Sequence, residues 1–136
     1  MLFSIRTGRK ETPWEVVDSK AVEPVPMYYD DEDLDIVRVG ETDKCGTYVF
    51  EVKHFPKDCH LRNAVFFARE QLLQEAAKTD FNVLLLESWN LTLYRRGKQY
   101  RVEVRYTGRP AHALGKIPSR RPPPFIRVLE GCQLSL

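Results

Sequence analysis

Glu87 is the residue of this chain whose type and setting point most directly to chemistry. It is the one charged side chain on the otherwise apolar face of a strand-like run. A carboxylate taken out of water holds its proton more tightly and can act as a general acid or base. The competing reading is structural: a hydrogen bond to Tyr106, its expected partner across a hairpin, or an ion pair with an arginine. Cys59 lies at the start of a helix, where a thiolate gains from the helix N-terminus, but His60 next to it in sequence would not face it. The chain contains no nucleophile elbow, glycine-rich phosphate loop or H-E-x-x-H helix. An enzyme is therefore not the favoured class, and Glu87 is kept as its catalytic candidate.

Cys45, His54, Cys59 and His60 carry zinc-type donor atoms. Their spacing matches no compact zinc signature, and adjacent side chains such as Cys59 and His60 diverge. The acidic run at residues 30–33 lacks the alternating spacing and terminal Glu of a calcium loop. No metal and no cofactor is expected.

Arg95, Arg96, Lys98, Arg101, Arg105 and Arg109 crowd one stretch together with Tyr94, Tyr100 and Tyr106. Aromatic stacking on a basic surface holds single-stranded nucleic acid at roughly 1–3 kcal/mol per stacked base. Strand alternation opposes the simplest version, because Tyr100 and Tyr106 fall on one face and Arg101 and Arg105 on the other. A reduced version remains, in which Arg95, Arg96 and Lys98 at a hairpin tip grip phosphates without reading sequence.

These side chains need elements to hold them. Residues 81–94 and 99–107 alternate with period two and flank Arg96-Gly97, which predicts a hairpin with Leu91 opposite Val102 and Glu87 opposite Tyr106. Residues 34–39 and 47–55 read as a second hairpin with a longer loop. Between the hairpins, Pro56 ends a strand and Asp58 is placed as N-cap of a helix over 59–78. Leu61, Ala64, Val65, Ala68, Leu72 and Ala76 share an arc of about 120° on that helix. Phe66 and Leu73 form a second apolar line, and Phe67 sits among polar residues, so the helix carries more apolar surface than one sheet face needs. Either the N-terminal arm or the C-terminal tail covers the excess, or a protein partner does. Residues 119–124 should be extended and polyproline-like, and 125–129 a last short strand on the sheet edge.

The chain has 136 residues with a net charge of +2, enough for one domain with a sizeable core. Residues 1–60 hold 8 Lys/Arg against 13 Asp/Glu, and 61–136 hold 13 against 6. Such asymmetry marks either a basic binding face or an acidic arm packed on a basic half. No apolar run approaches the roughly 20 residues of a membrane span, and the three scattered cysteines read as reduced thiols. The expectation is a single small, soluble α+β domain, intracellular in the cytoplasm or nucleus. It would consist of an antiparallel sheet of about four to five strands with one main helix on one face, in hairpin–helix–hairpin order. An irregular N-terminal arm (1–33) and a Pro-rich C-terminal tail (110–136) flank it.

Three functional expectations follow. The first is a non-catalytic interaction or accessory domain that binds a protein partner or itself, as a homodimer, through a sheet edge or through Phe66, Phe67 and Leu73. The second is a nucleic-acid binder using the basic half. The third is a small enzyme or ligand-binding domain with a helix–sheet pocket near Glu87, its ligand unidentified. No membrane partner is expected.

Overall fold

The computed structural model describes residues 12–29 and 32–129. The elements run β1 (Glu15–Pro26), β2 (Asp35–Val39), β3 (Lys44–Val52), α1 (Asp58–Ala77), β4 (Val83–Arg96) and β5 (Gln99–Leu114), followed by a 3₁₀ turn at Ile126–Leu129. The five strands form one antiparallel sheet with α1 across one face, the α+β arrangement that the patterning predicts.

The β4–β5 hairpin is its spine. Arg96 pairs with Gln99, so the two turn residues are Gly97 and Lys98, with Gly97 at a φ of 62° that suits glycine. The turn sits one residue later than Arg96-Gly97, and Leu91 faces Val104 rather than Val102. Because side chains alternate with period two, moving each partner by two residues leaves every side chain on its expected face. Trp89, Leu91, Leu93, Val102, Val104 and Tyr106 are accordingly all buried beneath α1.

The first strand keeps its expected length, two residues later in the chain, and the second runs further than the pattern suggests. β5 does not end at residue 107 but continues through Gly108-Arg109-Pro110 to Leu114, into the expected tail. Opposite Pro110, β4 carries a bulge between Leu84 and Glu87. Leu84 and Glu87, an odd number of positions apart, therefore both face α1, which an unbroken strand forbids. Beyond the bulge Val83, Ala111 and Ala113 form a second small core under Tyr28, Leu34, Leu85 and Ile117.

The first predicted hairpin is not one. β2 and β3 do not pair with each other; both lie end to end along the free edge of β5. A 16-residue strand offers more edge than a 5- or 9-residue strand can fill, so the two share it. Gly40 joins them by donating its N–H to the Pro110 carbonyl at 2.8 Å. A Cβ at Gly40 would lie 2.7 Å from Pro110 Cγ, so the junction requires glycine.

Most of the expected N-terminal arm is also ordered as sheet. β1 pairs along the outer edge of β4, and a register shift between Val22 and Val25 takes up Glu23-Pro24. Proline lacks the N–H of a ladder donor but is tolerated at an edge or a bulge, which is why Pro24 and Pro26 do not exclude a strand.

Helix α1 starts one residue before the predicted boundary: Lys57 is the N-cap and Asp58 the first helical residue. The six-residue stripe is buried as patterned, and Leu73 joins it. Residues 125–129 form no strand. Instead Ile126 and Leu129 turn inward against α1 from a 3₁₀ turn, covering the flank on which Leu73 sits. Cys132 and the acidic Asp30 and Asp31 lie outside the described residues.

Candidate functional site

Glu87 lies in a closed polar cluster. Its Oε2 accepts a hydrogen bond from Arg69 Nη2 at 3.1 Å. Arg69 Nε stands 3.0 Å from Oε1, although out of line for a hydrogen bond. The Tyr106 hydroxyl donates to Oε1. Arg69 and Glu87 are 5% and 2% exposed, so the ion pair is desolvated. Burial, and then the adjacent carboxylate, push the Tyr106 hydroxyl far above its ordinary range, and Tyr106 stays a neutral donor. Both structural partners expected for Glu87, the tyrosine and an arginine, are thus engaged together. Tyr106 reaches Glu87 diagonally, since Glu87 pairs with Gly108 and Tyr106 with Trp89.

The sequence reading missed Arg69. At 100° per residue it falls about 20° outside the apolar arc of α1, and that proximity was the available signal. Its remaining capacity goes to the tail: Arg69 Nη1 donates to the Arg121 carbonyl, and Trp89 Nε1 donates to the Pro124 carbonyl at 2.8 Å. Residues 121–124 therefore roof the cluster.

The basic candidates do not share one surface. Register places Arg96, Arg101 and Arg105 on the face away from α1, Arg95 opposite Tyr100 on the α1 side, and Lys98 in the turn. Several bind acidic residues of the N-terminal half: Arg95 to Glu15 at 3.2 Å, Arg101 to Glu51 at 3.1 Å, and Arg109 to Asp43 at 2.7 Å. Arg105 Nε donates to Cys45 Sγ. Trp14, not singled out in the sequence, lies under the guanidinium groups of both Arg96 and Arg101 at 4.5 and 4.3 Å. The acidic half of the chain thus packs on the basic half.

The interface candidates separate as well. Phe66 and Phe67 are 40% and 47% exposed, whereas Leu73 is 8% exposed and belongs to the core. Phe67 sets its edge against Phe50 and Tyr48, with ring centroids 5.4 and 6.4 Å apart. It forms one wall of an apolar cleft of about 350 Å³, lined also by Phe50, Val52, Pro56, Ala64 and Val102, with His60 and Asn63 as its polar members. His60 Nδ1 accepts the Lys57 N–H at 3.3 Å, tying the rim to the helix start. Phe55, 61% exposed, stacks edge-on against Tyr100 next to β3. The cleft is not at Glu87: Val102 and Gly108 are six positions apart on β5, about 20 Å at ~3.4 Å per residue.

Among the described residues no three His, Cys, Asp or Glu side chains gather as metal ligands, and no helix is long and apolar enough to cross a membrane. No family model, curated protein or solved structure matches the chain.

Proposed function

We propose that this domain is a non-catalytic interaction module that receives apolar side chains of a protein partner in the cleft between α1 and β3. The observation that carries the reading is the cleft itself, apolar and about 350 Å³, with the half-exposed Phe67 as one wall. Its volume lies at the small end of ligand pockets and suits one or two side chains. Exposed aromatic residues around a groove are the usual anchors of protein contacts. The buried ionisable cluster weighs against catalysis, because Arg69, Glu87 and Tyr106 spend their hydrogen bonds on one another and on the tail.

Native mass spectrometry of the protein from its own cells tests this, run beside a Phe67→Ser variant. Phe67 is 47% exposed, so the variant should keep the fold by circular dichroism. The expected result is a second polypeptide, or a second copy, bound to the parent chain and missing from the variant. A companion retained by the variant, or a small molecule in its place, sinks the proposal.

One observation favours a second reading, nucleic-acid binding: Trp14 puts an aromatic ring on the same face as Arg96 and Arg101. It predicts salt-sensitive retardation of single strands near about 50 mM salt, because phosphate contacts release counterions. A mobility-shift experiment without retardation removes it.

A further inference from the structure

Residues 121–129 are held to the body as a peptide ligand is held. Among the described residues, no backbone–backbone hydrogen bond ties 116–129 to the sheet or to α1; that of Val128 to Phe125 is internal to the segment. Prolines 122–124 have no N–H to give. Side-chain donors fix the segment instead: Arg69 on the Arg121 carbonyl and Trp89 on the Pro124 carbonyl. These carbonyls are three residues apart, with a bend at Pro123 between them. The Arg121 side chain occupies a seat made by Glu32 Oε1 at 2.7 Å, the Met27 carbonyl and the Tyr29 ring at 3.7 Å. Glu32 is shaped for this. The Tyr29 N–H and then Arg121 hold its carboxyl below the usual range, so the seat stays anionic. Pro123, Ile126 and Leu129 supply buried apolar anchors.

We propose that this groove is a docking site for arginine–proline segments, and that residues 121–129 of a second copy can occupy it in exchange for the chain's own. Donors onto carbonyls, an acidic–aromatic seat for arginine and apolar anchors further on are a recognition mode for proline-rich peptides. Charge complementarity with Glu32 and the segment already seated there identify the occupant. Exchange sacrifices no strand or helix pairing, and every contact made within one chain is remade between two. The proposal deepens the interaction reading but uses a different surface from the apolar cleft, so the two fail separately.

The test uses full-length protein. A fluorescent peptide of residues 119–129 should bind it saturably by anisotropy, and Glu32→Gln in the receiving chain should weaken that binding about tenfold. Isotopically light and heavy full-length chains, mixed at high concentration, should form mixed-mass dimers that excess peptide dissolves. Absence of peptide binding, or binding indifferent to Glu32→Gln, overturns the groove. Peptide binding without mixed dimers overturns the second copy as occupant. Mixed dimers that survive excess peptide use another surface, such as the cleft, and also overturn it.

Discussion

Glu87 and Arg69 show how a buried charge becomes structural. Taking two ions out of water is costly, and their attraction offsets that cost only when every remaining donor and acceptor is engaged. Here Tyr106 and the Arg121 carbonyl add hydrogen bonds to the pair, while Arg69 Nε stands 3.0 Å from Oε1 without one. Removing one partner strands the other. Glu87→Gln should lower unfolding free energy by about 3 kcal/mol or more, read by urea titration. Combining Arg69→Met with Glu87→Leu should cost less than the sum of the single changes, because neither charge is then left alone. Additive losses would show that the pair is not coupled.

Tyr106 makes a pH prediction. Its folded-state pKa is raised, by burial first and by Glu87 second. In the unfolded chain its hydroxyl ionises near 10, while in the folded protein it keeps its proton. Its contribution is thus fully present below about pH 10 and declines as pH rises past that value. Unfolding titrations at about pH 9 and pH 11 should show this loss, and Tyr106→Phe should make the alkaline decline shallower.

At the scale of elements, the β2–β3 junction is the most exacting piece of the sheet. Gly40 passes so close to Pro110 that Gly40→Ala must displace one of them, at about 1–3 kcal/mol, as overpacking usually costs. The loss should be local. Hydrogen exchange should show deprotection of Asp35–Val39 while β4 and α1 hold, since β2 contacts the sheet through β5 alone. Uniform deprotection would mean that β2 and the core unfold together.

Over the whole molecule, the two oppositely charged halves of the sequence meet in exposed ion pairs on and beside the sheet. Exposed pairs contribute roughly 0–1 kcal/mol each and are screened by salt. Raising NaCl from about 0.05 to 0.5 M should therefore lower stability by no more than about 1–2 kcal/mol, with the fold intact by circular dichroism. A larger fall would place the hydrophobic core in a lesser role than its burial implies.

The sequence by itself determined what depends on periodicity. The α1 stripe, the two faces of the β4–β5 hairpin and the inward setting of Glu87 all follow from local repeats of 3.6 and 2, which survive a turn displaced by one residue. It also supplied Phe66 and Phe67 as apolar side chains beyond the needs of the stripe. Only the tertiary structure decided which edges pair. β2 and β3 resemble a hairpin locally, yet each gains a longer partner in β5, and β1 tolerates its prolines because it lies at an edge. It also brought Arg69, Glu87, Tyr106 and the tail carbonyls together from α1, β4, β5 and residues 121–124. Such a cluster has no sequence spacing to betray it, because its members meet only when separate elements pack. Glu87 was thus recognisable as a buried acid from the strand pattern, whereas the partners that commit it to structure rather than catalysis are a property of the folded chain.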